Sequence, residues 1–525
     1  MTILPSDACP SGSYTKPVTL AHNSGLSWEE VEEEDDNMLV KLPRNRLREE
    51  FLDDIQQHTS DIGGIVAHHL SLSKTQQCRI ADRAEWLYGD FNACIPITVS
   101  NWRAQRLLLR CPFPHMVGQP FGLDEKIRCE AATFAWISSN CSEVPTPRLW
   151  GFGLPNGLSF KHIKYLPWYR RILQYTKNYF RSWFSRTPYY APFIPTNSRF
   201  SLQSGYLLVD FIEKEQGRML SEIWPPDTDE QKQNFYKSLS KIMLELARCP
   251  LPTIGSFTVH NSGEISLSNR PLTVRLPLFE GEGIPIDIPR DRCYLTTESY
   301  VHDLLKCLDS KLRYQPNSVR DEDDARAQMA CLTTMRYLSS HFILDMPQTG
   351  PFYYIWTDPH ASNIFVNEEY KISSLPDLEW FCSLPIQTLH IPFWLAGHDV
   401  DEFGGENKKD YRDMCTEFLT IFQRVACEYS TQHSQHCTEA LQRTLEVGTQ
   451  WYWASLYQPR ATYNLFLDHL QPQFAPEHST GSDLLQYERI VAQYWTKDAA
   501  GFIKQKLRER EDYLTRLRLV NGRSC

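Results

Sequence analysis

Between residues 45 and 83, apolar positions such as Leu47, Phe51 and Ile55 recur at helical spacing, which predicts one or two helices ahead of the main body. The period then shortens. In AEWLYGDFNACIPITV, aromatic and β-branched residues crowd around Gly89 and Asp90, and WRAQRLLLRCPFP carries a short apolar run ended by prolines, so a β-hairpin and a third strand are expected. GLDEKIRCEAATFAWISSNC returns to helical intervals through Ile127, Ala131, Phe134 and Ala135, with Asp124 and Glu125 near its start, where the helix dipole favours anions. Pro145 and Pro147 end that helix, and RLWGFG resumes extended chain. GYLLVDFIE reads as a buried strand leading to a turn at Gly217. Asn234 to Arg248 reads as an amphipathic helix, and SFTVHNSGEISLS as a hairpin turning at Asn261 to Gly263. Beyond Tyr300 helices dominate. The tail from Ser482 to Arg518 is charged and helical, with Ile503, Leu507, Leu514 and Leu517 near one face; without a sustained heptad it is expected to dock rather than form a coiled coil.

Two stretches depart from this patterning. The first 45 residues combine Ser, Pro and Gly with an acidic run from Glu29 to Asp36, broken only by Val31, and are expected to form a solvated, disordered arm. The stretch from Val144 to Val209 has no Asp or Glu but carries Lys161, Lys164, Arg170, Arg171, Lys177, Arg181 and Arg186 among Trp168, Tyr175, Tyr179, Phe180, Trp183 and Phe184. Two readings fit it. Its aromatics pack on the body while its cations face water, or it is a basic amphipathic helix for an anionic membrane or an acidic partner.

Composition narrows the function classes. With 525 residues, 42% hydrophobic and 12% aromatic, the chain has material for a large core, and length alone suggests about three domains. A net charge of −10 argues against a dedicated nucleic-acid binder, which needs a basic surface. The 15 cysteines form no CxxC pair and no zinc-like spacing, consistent with a reduced compartment. No apolar run is long enough to span a bilayer and the first residues lack a signal-peptide pattern, so a cytoplasmic location is expected.

The chemistry concentrates in YYIWTDPHASNIFV, residues 353–366, and KISSLPDLEW, residues 371–380. Asp358, then Asn363 five residues later at the edge of an apolar strand, then Asp377 after a short return strand, make a compact set of oxygen donors. A carboxylate can orient an attacking hydroxyl and accept its proton, while an amide and a second carboxylate hold Mg²⁺ against nucleotide phosphates. No G-x-G-x-x-G and no G-x4-G-K-[ST] occurs, which disfavours a P-loop NTPase. Asp399, Asp401, Glu402, Asp468 and His469 are candidate acceptor-site groups or solvated loop charges.

With these motifs, RLLLRCPFPHMVG, DEKIRCEAATFAWI, VPTPRLWGFG, GYLLVDFIE, TDPHASNIFV and DLEWFCSLPI, the sequence resembles the aminoglycoside phosphotransferase-like kinases of the protein-kinase-like superfamily, in particular a large fungal group of phosphotransferase-enzyme-family proteins. The resemblance spans Trp86 to Phe474. It implies an α+β, two-lobed kinase-like fold with residues 46–210 as a sheet-based N-lobe, a basic insertion at about 161–200, residues 211–475 as a helical C-lobe, and 476–525 as a helical extension after the arm at 1–45. It further implies ATP and Mg²⁺ as cofactors, a small-molecule hydroxyl as acceptor, Asp358 as catalytic base, Asn363 and Asp377 as metal ligands, and Arg110 with Glu130 as the pair that organises the nucleotide. Arg110 stands where related kinases place a lysine, and a planar fork meets phosphate differently from a point charge. Trp356 and Thr357 replace the usual His and Gly of the catalytic loop, while Pro359 and Pro376 flank the two aspartates. Those departures keep open a pseudokinase-like protein that binds a nucleotide or partner without efficient transfer.

Overall fold

The segments richest in aromatic and β-branched residues assemble into one antiparallel sheet. The computed structural model describes residues 27–520, apart from 74, 103–105, 185–189, 344–346, 399, 404–406 and 430. Along the sheet the strands run Cys78–Ile80, Asn92–Val99, Arg106–Pro112, Tyr206–Asp210, Leu149–Gly153, Ser159–His162 and Phe193–Thr196, with the short Leu87–Tyr88 also paired to Asn92–Val99. The expected hairpin at Gly89, the third strand and the GYLLVDFIE strand are all present. Register places Arg110 opposite Cys94 on one side and Leu207 on the other, in the interior of the sheet.

Alternation along a strand then assigns faces. Leu107 and Leu109 point to one side, where Leu52, Ile55, Ile62, Ile65 and Val66 of the helices Arg44–Gln57 and Thr59–Leu70 cover them. Gly151 permits that approach, because a Cβ there would meet His69 Nδ1 at 2.2 Å. Leu108 and Arg110 point to the other side, toward the helix Gly122–Asn140, whose Ile127 and Phe134 join Cys94, Leu207 and Val209 in the main core. Asp124 and Glu125 do occupy that helix's first turn, but Glu125 is buried and ion-paired with Arg270 at 2.9 Å and Arg290 at 3.0 Å. The helix is thereby tied to the hairpin Ser256–Val259 and Ile265–Asn269, whose turn holds Gly263 at φ 85°.

The remainder is mainly helical and packs around the helices Asp229–Ala247, Thr297–Tyr314, Glu322–Ile343 and Asn407–Tyr429. The architecture is mixed α+β. Among the described residues, no helix is long and apolar enough to cross a membrane.

Three regions differ from their sequence-based expectation. Within the arm expected at 1–45, residues 1–26 lie outside the described residues, and the rest is ordered. Ser27 caps the helix Trp28–Glu33 in a reciprocal capping box with Glu30, and a second short helix covers Met38–Lys41. Val31, Met38 and Leu42 bury against Tyr513 and Leu517. The acidic run meets partners hundreds of residues away: Arg518 pairs with Glu32 at 2.8 Å, Arg320 with Asp35 at 2.8 Å, and Arg460 with Glu34 at 3.1 Å. Local charge counting misses such pairings. The tail, read as one helix, is two, Gly481–Val491 and Ala499–Val520; Ile503 and Leu517 are buried as expected, while Leu507 and Leu514 are half-buried. The acid-free insertion forms the helix Trp168–Phe184 between Ser159–His162 and the edge strand Phe193–Thr196, and its aromatic side faces solvent rather than the body.

Candidate active site

Two short pairings bring the loops that carry Asp358, Asn363 and Asp377 together. Tyr353–Trp356 runs antiparallel to Phe381–Leu384, with Trp356 opposite Phe381, and Thr357 donates from both its N–H (3.1 Å) and its hydroxyl (2.5 Å) to the Trp380 carbonyl. Phe365–Val366 pairs with Ile372–Ser374. The chain before Asp358 is thus pinned to the chain after Asp377, and the chain after Asn363 to the chain before Asp377. Trp394 Nε1 donates to the Pro359 carbonyl, so the proline that lacks a donor contributes its acceptor. Asn363 Nδ2 lies 3.4 Å from Asp358 Oδ2.

Arg110 reaches this floor from the sheet. It makes ion pairs with Glu130 Oε1 at 3.0 Å and Asp377 Oδ2 at 3.0 Å, and Nη1 donates to the Pro376 carbonyl at 2.5 Å. Glu130, on the helix Gly122–Asn140, is fully buried. One turn earlier, buried Lys126 pairs with Glu379 and donates to Asn92 Oδ1 at 2.8 Å, while Asn92 Nδ2 donates to Glu379 at 3.0 Å. All five candidate site residues therefore meet: Arg110, Glu130, Asp358, Asn363 and Asp377.

The cluster is short of positive charge. Against the four carboxyl groups of Asp358, Asp377, Glu130 and Glu379, Arg110 and Lys126 are the buried cations, with Arg275 acting on Asp358 from the cleft wall. Burial, with the Asp377 and Glu379 carboxylates adding to it, pushes Asp358 up to about 7. Burial likewise raises Glu130 to about 7 against the opposing pull of Arg110, and raises Glu379. Burial pulls Arg110 down, but Asp377 and Glu130 more than reverse it, so the guanidinium stays charged. One carboxylate oxygen from each of Glu130, Asp377 and Glu379 lies within 4.8 Å of the others. Arg110 stands among these oxygens, 3.0 Å from Glu130, 3.0 Å from Asp377 and 3.9 Å from Glu379, and offsets part of the like charge that burial makes costly. Asp377, which reaches the cleft, is the hard oxygen donor of the three that suits Mg²⁺ together with Asn363.

Arg110, Asp358, Asn363, Asp377 and Glu379 line a cleft of about 730 Å³ between the sheet and the helical part. Gly89 and Asp90 of the hairpin edge it, and Lys41, Arg44, Arg48, Arg275 and Arg460 line its walls. The buried Nε–H groups of Arg44, Arg48 and Arg110 donate to no hydrogen-bond acceptor among the described residues. The sequence reading missed Lys126 and Glu379, although Lys126 precedes Glu130 by one helical turn and Glu379 follows Asp377 by two residues. It missed Lys41 because that position fell in the expected arm.

Among the described residues, none of the candidate acceptor groups joins the site. Asp399 lies outside the described residues, as does the side chain of Asp401. Glu402 sits near His398 at 3.6 Å. His469 is a core residue stacked on Trp451 with centroids 3.7 Å apart, and neither it nor Asp468 lines the cleft. A smaller apolar pocket lies beside the loop that carries Asp358, walled by Ile242, Met243, Leu246, Trp356, Thr357 and Pro359.

No protein-family model and no curated protein matches this chain. Among solved structures, it is similar to the macrolide 2'-phosphotransferase MphH from Brachybacterium faecium, at 10% identity over 78% of this chain and 98% of that one, with a TM-score of 0.33. It is also similar to a type I macrolide 2'-phosphotransferase, at 11% identity over 76% and 95% of the two chains, with a TM-score of 0.32. At that level of similarity the function rests on the geometry of the site itself.

Proposed function

We propose that the protein is an ATP- and Mg²⁺-dependent phosphotransferase with a two-lobed kinase-like arrangement, moving the γ-phosphoryl group to a hydroxyl of a small molecule. One observation carries this reading: Arg110, Asp358, Asn363 and Asp377, from separate parts of the chain, line a single cleft, with buried Glu130 holding Arg110 from behind. Asp358 is the base. A carboxylate whose proton affinity is poised near neutrality can orient the acceptor hydroxyl and take its proton as the oxygen attacks phosphorus. Asn363 holds Asp358 and, with Asp377, supplies oxygen ligands for the metal. Arg110 is fixed by Glu130, as a phosphate-contacting cation must be. When bound, ATP supplies the phosphoryl group and Mg²⁺ neutralises its charge. Lys41, Arg44 and Arg48 on the cleft wall suit the remaining phosphate charge.

A second reading has its own observation. Arg110 Nη2 pairs with Asp377 Oδ2 at 3.0 Å, and an ion pair that engages a proposed metal ligand also suits a pseudokinase-like fold that binds nucleotide without efficient transfer. The two separate by turnover. ADP release from MgATP across a broad pool of hydroxylated small molecules is expected for wild type and is lost in Asp358→Asn. Turnover unchanged in that variant removes Asp358 as the base, and nucleotide binding without turnover across the pool favours the second reading.

A further inference from the structure

The helix Trp168–Phe184 is mounted inside out. At about 100° per residue, Trp168, Tyr169, Ile172, Leu173, Tyr175 and Phe180 fall on one half of its circumference, with Thr176 among them. Arg170, Arg171, Gln174, Lys177 and Asn178 fall on the other half. In an ordinary surface helix the apolar half faces the core. Here the half-buried residues are the polar Arg171, Gln174 and Asn178, and Asn178 Nδ2 anchors the helix by donating to the Ala191 carbonyl at 2.9 Å. The apolar half is open to solvent: Trp168 is 68% exposed, Phe180 59%, Leu173 55% and Ile172 54%. These side chains form one contiguous face, whereas scattered single exposures are normal for a soluble protein.

Cations border that face on both sides, Arg170 and Lys177 along one edge and Arg171 along the other, and Lys164 follows from the preceding turn. No acidic residue occurs anywhere from Val144 to Val209. When an aromatic face of this kind settles at the depth of lipid headgroups, flanking Lys and Arg side chains reach the phosphates while Trp and Tyr occupy the interface. The helix stands beside the edge strand Phe193–Thr196, and none of its described side chains lines the cleft.

We infer that the helix Trp168–Phe184 docks the protein peripherally onto an anionic lipid bilayer. The charge complementarity and the width of the apolar half select lipid over an acidic protein: the convex ridge offers bulky side chains to a surface that can remodel around them. Docking here leaves the cleft open.

Vesicle sedimentation of the full chain tests this. Wild type is expected to pellet with phosphatidylcholine vesicles containing phosphatidylserine and to stay in solution with phosphatidylcholine alone. Each cation near an anionic surface contributes about five-fold in binding, so R170Q/K177Q weakens the partition roughly twenty-five-fold. W168S/I172S/F180S abolishes it, with an unchanged circular-dichroism melt showing that the fold is kept; the charge variant carries the test if the triple variant does not fold. Wild type left in the supernatant with anionic vesicles overturns the inference, as does equal pelleting with neutral vesicles or an unaltered R170Q/K177Q. A concentration-dependent dimer in sedimentation velocity, lost in W168S/I172S/F180S without any lipid binding, assigns the face to a second copy and overturns it too.

Discussion

The floor of the cleft and the outer face of the helix Trp168–Phe184 invert the usual distribution of residues in opposite directions. Around Arg110, charged groups are buried: Glu130, Glu379 and Lys126 are almost completely inaccessible. On the helix, Trp168 and Ile172 are exposed while Asn178 turns toward the body. Neither arrangement favours stability. Buried ions lose hydration that their pairing only partly restores, and exposed apolar surface forgoes burial worth about 25 cal/mol per Å². The two regions nevertheless differ in how tightly they are held. The cleft cluster is over-determined by ion pairs, hydrogen bonds and two strand pairings, so removing one member leaves its partner stranded. The helix face touches little, so its side chains can change with little effect on the fold.

The largest expected effect falls on catalysis. Asp358→Asn should lower kcat for phosphoryl transfer by about 10²–10⁴, the usual contribution of a positioned base. On the proposed mechanism the active form of Asp358 is the carboxylate, so the wild-type rate should rise with pH through about 7 and level off above it. A pH-independent rate across that window breaks the assignment. Next comes the fold of the cluster itself. Lys126→Met strands the Glu379 carboxylate and should cost about 3–5 kcal/mol in a urea melt. The double variant K126M/E379L should recover most of that loss, because it removes both buried charges. A single variant as stable as wild type would show the pair is not buried as described.

The pH dependence of stability should be smaller. The folded Asp358 binds its proton more tightly than the unfolded carboxyl, whose pKa is about 3.9, so the folded state holds more protons between that value and about 7. This contribution to stability therefore falls as pH rises through the window. Melting temperature against pH should be flatter for Asp358→Asn and, above pH 7, higher than wild type. The smallest effect belongs to the other region. Trp168→Ser and Ile172→Ser should each shift stability by less than about 0.5 kcal/mol. A loss of several kcal/mol would show that the apolar half packs against the body after all.

The sequence made the local structure readable where one period dominated. Strand Arg106–Pro112 and helix Gly122–Asn140 were legible from alternation and from the spacing of Ile127 and Phe134, and the D-x4-N pattern marked Asp358 and Asn363. What could not be read was pairing over distance. The acidic run at Glu29 to Asp36 suggested a solvated arm because its partners, Arg320, Arg460 and Arg518, lie far along the chain. Lys126 was indistinguishable from a solvated helix charge until Glu379 stood beside it. The orientation of the helix Trp168–Phe184 was equally hidden: its amphipathic pattern is plain in the sequence, but which half faces the body depends on Asn178 and Ala191 and on what the edge of the sheet offers.

The most direct test of the central claim is calorimetric titration of ATP into the protein with and without Mg²⁺, beside Asp377→Asn. The account predicts Mg²⁺-dependent ATP binding by wild type and at least about ten-fold weaker binding by the variant, since the loss of one charged ligand removes a charge-assisted contact of about 1.5–3 kcal/mol. Wild type that binds no ATP in the presence of Mg²⁺, or an Asp377→Asn variant that binds it as tightly, would contradict the assignment of this cleft as a nucleotide and metal site.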